Sequence, residues 1–444
     1  MSRHNTNGEQ SSAEQRIFYG WFIVAILFFI SVIDGGFTYI FSAFLKPLSQ
    51  EFGWTRAETS GAFSLYLLAA GLSLPFWGWL SDARGVKIVF VLSAIIDGVA
   101  LVLLSHMDSL AVFYVLYTFL GVGLGGIGPA TVGKAVSQWF VTKRGRAMGI
   151  ALIGGGFGGL VLVPLAGVLI EEFNWRTAFQ GLAALALGGM LPAVWFFLVD
   201  TPAEKGLVPL GQEFLTQHSV SSSMEEQEAA DGWTLKEAMS TLTFWLLGIS
   251  FCLGLMAAAA VHAHQVAFMQ DSGLSLESAS TIAGVTLSMT MGGRFVVGWA
   301  SEYVRHFHWL LSLSLVLQAI GVGVLLYFDT LGIWALAVFV PCVGLGYGGL
   351  VVLWPLSVSH DFGTRAFGAI AGAVGTIALS IGGAVGPVAA GAMYDSTGNY
   401  GIAFLSCLGL FLAGAMIAFV TVEPQRAIAP SPSLHIPASK RDLE

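Results

Sequence analysis

The chain is a succession of long apolar runs separated by short polar connections. Most runs contain about 20 residues or more, the length that an α-helix needs to cross the roughly 30 Å core of a bilayer. The pattern therefore predicts membrane-spanning helices in place of a water-soluble core. We predict twelve helices, over residues 19–45, 60–80, 88–106, 110–138, 146–170, 176–198, 243–270, 278–303, 308–328, 332–358, 366–392 and 400–422.

The longest polar connection divides the predicted helices into two groups of six. Residues 19–199 form the first group and residues 241–422 the second, with an acidic, serine-rich linker at 200–240. The remaining segments, 1–18 and 423–444, are polar or proline-rich tails. We therefore expect two six-helix bundles joined by a linker on the side that carries both termini.

Composition supports a membrane protein and charge gives its orientation. The chain is 55% hydrophobic and only 10% charged, whereas a soluble domain is about 25% charged. Most of the 19 Lys and Arg residues fall in connections on the side of the two termini. The positive-inside rule then predicts that both termini are cytoplasmic and that the protein lies in the inner or plasma membrane of the cell.

A short motif occurs once in each half. The letters GWLSD at residues 78–82 return as GWASE at residues 298–302, and the same spacing relates Gly53 to Gly273. A period this long excludes a solenoid. Parallel repeats of membrane helices are typical of one large class of transporters.

Several ionisable residues lie inside predicted helices, where a charge is costly and indicates function. Arg294, in the eighth helix, offers a fork of donors that suits a carboxylate. The alternative is a structural ion pair with Glu302. Asp34, in the middle of the first helix, can serve as a proton site because a carboxyl group in a low-dielectric site exchanges protons near neutral pH; bonding to nearby backbone is the alternative. Asp97, in the third helix, we interpret as structural.

Other polar residues are further candidates for substrate binding or coupling. His262 and His264 are two positions apart in the seventh helix, so only one can easily face a cavity; either can bind an anion or carry a proton. Lys134 and Tyr347 are candidate substrate contacts, although Lys134 can instead reach the interface with its long stem. Asp271 is a candidate gate or proton-coupling acid, or else a solvated loop charge.

The connection after the second helix resembles a known loop signature. The sequence GWLSDARGVK at residues 78–87 is similar to the G-x-x-x-D-x-x-G-x-[KR] signature of the major facilitator superfamily. This resemblance implies two six-helix bundles related by a two-fold axis along the membrane normal. It also implies that loop charges form a latch between helices, which breaks as the halves rock. The charges of this latch are Asp82, Arg84, Lys87 and Glu302, and the glycines of the gating loop signatures are Gly78, Gly85 and Gly298.

Within that superfamily the chain is most similar to the monocarboxylate transporters and their bacterial relatives. The segment WFVTKRGRAMG at residues 139–149 resembles their signature at the start of the fifth helix, and Arg294 matches their intramembrane arginine. The chain departs from the family in having only YGW at residues 19–21, Thr290 where animal members have aspartate, and no lysine in the eleventh helix. The resemblance implies a central cavity lined by helices 1, 4, 7 and 10.

We therefore predict a secondary transporter that moves a small monocarboxylate, of the lactate or pyruvate kind, together with a proton. The alternatives are a carrier of a dicarboxylate, an aromatic acid or an exported drug, and a sensor built on the same scaffold. We expect no enzyme, cofactor, metal site or nucleic-acid partner, because the sequence has no phosphate loop, ligand spacing or nucleophile–base pair. We expect it to act as a monomer in the bilayer.

Overall fold

The computed structural model describes residues 18–211, 232–301, 303–304, 306–363 and 365–424. These residues form twelve long helices and no strand. The helices are α1 (Tyr19–Phe52), α2 (Arg56–Arg84), α3 (Val86–Leu104), α4 (Leu110–Trp139), α5 (Arg144–Glu172), α6 (Trp175–Phe197), α7 (Leu242–Asp271), α8 (Leu276–Ala300), α9 (Phe307–Leu325), α10 (Ile333–Phe362), α11 (Phe367–Thr397) and α12 (Gly401–Val420).

The prediction of an all-helical membrane protein is confirmed. Eleven of the helices are long and apolar enough to cross a membrane. The twelfth is α8, which is 25 residues long and contains Arg294. The predicted tails before residue 18 and after residue 424, and residues 212–231 of the predicted linker, lie outside the described residues.

Side-chain caps begin α2 and α8 at equivalent places. Thr55 accepts a hydrogen bond from the Glu58 amide at 3.1 Å, and the Glu58 carboxylate accepts one from the Thr55 amide at 2.9 Å. This is the capping box that the sequence predicts. In the second half, the Ser275 hydroxyl accepts from the Ser278 amide at 3.2 Å. Both helices therefore start at defined residues.

Besides α1, which has a turn at Ile40, three long helices depart from regular α geometry. In α4, Gly128 breaks the helix and Pro129 restarts it, because proline is well suited to a first helical turn. The other two contain π-helical segments, Leu185–Met190 in α6 and Thr376–Gly383 in α11. Such segments are often found at functional sites. The one in α11 packs against α7 and α2.

Within each half, glycine brings helix backbones into close contact. A methyl group on Gly158 of α5 would lie 1.9 Å from the carbonyl oxygen of Val32 in α1. A methyl group on Gly386 of α11 would lie 2.0 Å from the carbonyl oxygen of Met256 in α7. Both sites exclude any side chain, and small residues are how helices pack tightly in lipid. The α1–α5 and α7–α11 pairs occupy matching places in the two halves.

The two halves meet along two helix pairs and one helix end. The pairs are α2 with α11 and α5 with α8, and the C-terminal part of α1 adds contacts to α7. The helices that meet across the middle of the molecule thus include those that carry the intramembrane charges Asp34 and Arg294.

Candidate functional site

Five polar side chains from both halves form a cluster near the middle of the molecule. The central cluster consists of Asp34 and Tyr39 of α1, His262 of α7, Arg294 of α8 and Tyr347 of α10. The His262 ring lies edge-on to Tyr39 and Tyr347, with centroids 5.7 and 4.6 Å away. Tyr39 also interacts electrostatically with Asp34, Arg294 and Tyr347. Three of the predicted substrate residues are therefore brought together with one predicted proton site.

Arg294 reaches across the boundary between the halves. Its Nη1 donates a hydrogen bond to the carbonyl oxygen of Leu152 in α5 at 2.9 Å. Its Nε is buried and has no hydrogen-bond partner among the described residues. A partly buried guanidinium with an unused donor is well suited to an anionic oxygen.

His262 supplies a second unused donor. The side chain is 6% exposed, and its Nδ1 lies 3.4 Å from the amide nitrogen of Gln265. That amide nitrogen can only donate, so the neutral ring accepts at Nδ1 and carries its proton on Nε2. Nε2 is buried without a hydrogen-bond partner in the described part of the chain. An acceptor entering the cluster would satisfy this group.

Asp34 forms no ion pair in the described part of the chain. The side chain is 9% exposed, and none of the ion pairs formed by the described residues includes it. The nearby Thr38 hydroxyl donates to the Asp34 backbone carbonyl at 3.3 Å and leaves the carboxyl group free of that bond. An acid without an ion-pair partner beside Tyr39 can hold a proton or release it.

Asp271 lies at the end of the molecule away from the chain termini, which we call the opposite face. Its carboxylate accepts from Lys46 of α1 at 2.7 Å and from Arg56 of α2 at 2.8 Å. Arg56 is 7% exposed and also donates to the Tyr400 hydroxyl at 2.8 Å. The predicted coupling acid is thus part of a charged contact that joins the two halves.

Two helix N-termini at the opposite face are capped from the other half. Asp395 of α11 accepts hydrogen bonds from the first amides of α2, those of Arg56 and Ala57, both at 2.8 Å. Glu171 of α5 accepts from the amide of Glu277 in α8 at 2.9 Å. Carboxylates are favoured at helix N-termini because the unpaired amides and the helix dipole are positive there. We call these two contacts the cross-half caps.

Glycines along the pairs α2–α11 and α5–α8 reveal which end is closed. Towards the opposite face, a methyl group on Gly391 would lie 2.7 Å from Ala57, and one on Gly167 would lie 2.1 Å from Ser280. Towards the terminal face, where the chain termini lie, added methyl groups would meet nothing within 4 Å. This holds for Gly78, Gly145, Gly149, Gly298, Gly368 and Gly372. The halves are therefore packed at the opposite face and apart at the terminal face.

Loop-signature residues lie at the terminal face, away from the central cluster. Lys134 of α4 forms an ion pair with Asp82 of α2 and also contacts Ser81. The structure thus joins Lys134 to the loop signature and not to the other predicted substrate residues. Arg84 is exposed, and Glu302 lies outside the described residues.

The backbone conformation at Gly85 explains why the second glycine position of the loop signature at residues 78–87 holds a glycine in this chain. Gly85 has φ 88° and ψ 168°, a backbone region that is essentially restricted to glycine. A methyl group there would lie 2.2 Å from Asp200 Oδ2, and Asp200 Oδ1 accepts from the Lys87 amide at 2.7 Å. Gly85 and Lys87 therefore dock the start of α3 onto the end of α6.

His264 differs from its neighbour because both of its ring nitrogens have partners. Nδ1 lies 3.0 Å from the Tyr400 hydroxyl and Nε2 lies 2.9 Å from the Pro387 carbonyl oxygen. A carbonyl can only accept, so the neutral ring donates from Nε2 and accepts at Nδ1. His264 is fully buried and connects α7 to α11 and to the start of α12.

Sequence reasoning missed Tyr39 and Arg56. Tyr39 is an ordinary aromatic residue in an apolar helix and becomes notable only through its neighbours in space. Arg56 follows the capping residue of α2, and the sequence suggests a solvated charge in a loop. In the structure, Arg56 contacts Tyr400 and Asp271 of the other half. The capping box at Thr55 is the signal that fixes its position.

A family model and several known proteins match this chain. The model described as Major Facilitator Superfamily matches residues 27–387. The chain is 27% identical over 403 residues to a protein of Cupriavidus necator named as a probable sulfoacetate transporter, covering 89% of this chain and 91% of that protein. It is 25% identical to human monocarboxylate transporter 11, covering 90% of this chain and 82% of that protein.

A solved structure shares the fold. The bacterial homologue of the human lysosomal transporter Spinster, in an inward-facing and occupied conformation, matches with a TM-score of 0.69 at 16% identity, covering 91% of this chain and 97% of that one. The family match spans most of the chain, and the observed helices are those that the family resemblance implies. This chain therefore belongs to the major facilitator superfamily and is a membrane transporter, not an enzyme.

Proposed function

We propose that this transporter moves a small monocarboxylate, of the lactate or pyruvate kind, together with a proton. The observation that carries the proposal is the pair of buried, unused donors in the central cluster, Arg294 Nε and His262 Nε2. A carboxylate has two oxygens and can accept from both residues. Burying these donors without an acceptor is costly, so the site favours an anion.

Binding of the anion would change how Arg294 connects the halves. In this conformation Arg294 Nη1 bonds to the Leu152 carbonyl of α5. A carboxylate competes for the same guanidinium and is the stronger acceptor because it is charged. Substrate binding would therefore exchange a fixed contact between α8 and α5 for a contact with the substrate, and would free the two halves to rock.

The proton would balance the charge of the substrate. Asp34 is buried in the same cluster and forms no ion pair within the described part of the chain. An anion next to an ionised Asp34 would be repelled, whereas an anion next to a protonated Asp34 would not. Loading of the anion and of the proton would then favour each other, which is the requirement for symport.

The direction of opening gives the proposed orientation. Most Lys and Arg residues lie on the side of the chain termini, so we assign the terminal face to the cytoplasm. The conformation would then be closed to the outside and open to the cytoplasm. We propose that the protein works as a monomer, because both halves of the central cluster come from one chain.

The first test is uptake of labelled lactate and pyruvate into proteoliposomes, with and without an inward proton gradient. We expect accumulation that depends on the gradient in the wild type. We expect Arg294→Ala to lose it, because removal of one charged hydrogen-bonding partner typically costs about 1.5–3 kcal/mol, or roughly tenfold to a hundredfold in binding.

Arg176→Ala is the matched control. Arg176 pairs with Glu51 at 2.7 Å at the exposed opposite face and lies outside the central cluster. We expect uptake by this variant to resemble that of the wild type. Wild-type uptake by folded Arg294→Ala protein would overturn the role of Arg294, and absence of uptake of both acids by the folded wild type would overturn the substrate class.

A second candidate is a small organic acid with two anionic groups. It is favoured by the likeness to a probable sulfoacetate transporter and by the second donor at His262, which can hold a second group. Competition separates the two proposals. If unlabelled sulfoacetate inhibits uptake of the labelled acid more strongly than unlabelled lactate does, the dianion is favoured. The reverse order would favour the monocarboxylate.

A further inference from the structure

We propose that Asp97 is a second proton-binding carboxyl group, coupled with Asp34 inside the first half of the transporter. Asp97 lies in α3, outside the central cluster, and only 2% of it is exposed. Neither of its carboxyl oxygens has a hydrogen-bond partner among the described residues. Its role in transport rests on the proposed function, whereas its protonation does not.

The surroundings of Asp97 strongly disfavour an ionised carboxylate. A methyl group on Gly123 of α4 would lie 1.9 Å from Asp97 Oδ1, so the carboxyl group packs directly against the backbone of that helix. One turn earlier, Ser93 is fully buried with its hydroxyl also unpaired, next to Gly126. An unpaired charge in such a dry contact is far more costly than a neutral acid. The carboxyl group therefore holds a proton in this conformation.

Asp34 is the group that couples with Asp97. A methyl group on Gly121 of α4, two residues before the glycine that contacts Asp97, would lie 2.1 Å from the Tyr66 carbonyl oxygen, so Tyr66 of α2 and Asp97 lie against the same stretch of α4. The charge of Asp34 acts on both of these groups. The Tyr66 hydroxyl lies 2.9 Å from that of Thr38, which in turn donates to the Asp34 carbonyl. A continuous polar contact thus runs from α1 to α2 beside the two acids.

Among the described residues, no cation forms an ion pair with either acid. The ion pairs of the described residues include neither Asp34 nor Asp97. The helices that pack on α3 contribute Tyr66 from α2, the backbone of Gly123 from α4, and the apolar Leu187 from α6 against Gly98. Two uncompensated acids that interact in a dry region titrate as a pair, because ionisation of one opposes ionisation of the other.

The test is infrared difference spectroscopy of the full chain in lipid nanodiscs, between acid and alkaline samples in H₂O and in D₂O. Protonated buried carboxyl groups give a C=O band that shifts on deuteration. We expect Asp97→Asn to lose one component of this band and Asp34→Asn to lose another. Because the acids are coupled, we also expect Asp34→Asn to change the pH at which the Asp97 component titrates.

Ser93→Ala is the control, because it alters the same contact with α4 without removing an acid, and we expect it to keep both components. A spectrum of Asp97→Asn identical to that of the wild type would overturn the proton site. An unchanged titration of the Asp97 component in Asp34→Asn would overturn the coupling, and this variant keeps Asp97 even if Asp97→Asn fails to fold. No substrate is needed, so a wrong substrate class cannot imitate either result.

Discussion

His262 and His264 of α7 have different roles because they lie on different sides of the helix. His262 and His264 are both buried, yet His264 has partners on both ring nitrogens and His262 leaves Nε2 free. Because adjacent positions on a helix point about 100° apart, a separation of two residues places the rings on different sides. One ring is available to a ligand, and the other holds α7 against α11.

Replacement of each histidine by alanine should therefore have different effects. We expect His264→Ala to lower the stability of the protein by about 2–4 kcal/mol, because it removes two buried hydrogen bonds and leaves the proton of the Tyr400 hydroxyl without an acceptor. We expect His262→Ala to weaken anion binding with a much smaller change in stability. Thermal unfolding in detergent and substrate binding, measured on the same samples, distinguish the two effects. Equal losses of stability in both variants would contradict this division.

Part of the site can be found from the sequence because charge is rare in membrane helices. Arg294, Asp34 and His262 attract attention for that reason alone, and all three lie in the central cluster. Lys134 attracts the same attention but pairs with Asp82 at the terminal face. The sequence gives the depth of a side chain in the membrane only approximately, and a lysine stem can span the difference. Tyr39 has no such signal.

At the scale of helices, the docking of α3 onto α6 depends on one carboxylate. Asp200 lies just after α6 and accepts from the Lys87 amide at the start of α3. Burial raises the pKa of Asp200 above its ordinary value of 3.8, although the bond from the Lys87 amide opposes this change. The folded protein therefore holds the Asp200 proton more tightly than the unfolded chain does.

This pKa change gives a pH dependence with a definite sign. An acid whose pKa is raised on folding contributes most favourably at low pH, and the contribution falls as pH rises through the range between the two pKa values. We expect the stability of the wild type relative to Asp200→Asn to decrease as pH rises above 3.8 and then to level off. Unfolding temperatures of both proteins across pH measure this. A difference that grows with pH would show that the Lys87 amide outweighs burial.

Helix positions follow from the sequence far better than helix irregularities do. The twelve apolar runs coincide with twelve helices because the bilayer imposes their length and the backbone has no other partners in lipid. The π segment Thr376–Gly383 in α11 has no comparable signal, since its composition is that of an ordinary membrane helix. Its geometry is decided by contacts with α7 and α2, which lie far away in the sequence.

At the scale of the whole molecule, two carboxylates hold the opposite face closed in the same way. Asp395 of α11 caps α2, and Glu171 of α5 caps α8. The helices involved are equivalents in the two halves, so the closed face has the pseudo-two-fold symmetry of the fold. These caps exist only while the halves touch, because each donor helix and its acceptor belong to different halves.

Removal of the cross-half caps should shift the conformational balance. A side-chain cap contributes about 1 kcal/mol to a helix terminus, which corresponds to about fivefold in a population ratio. Each of Asp395→Ala and Glu171→Ala should therefore favour opening of the opposite face by about fivefold, and the double variant by the product of the two. Distances between spin labels placed on the two halves at the opposite face measure the populations of the open and closed conformations. The control is Asp108→Ala, which lies at an exposed connection within one half. Since the two caps act on separate helix pairs, a double variant no more open than either single one would contradict their independence. It would indicate that the ion pairs of Asp271 with Lys46 and Arg56 keep the face closed.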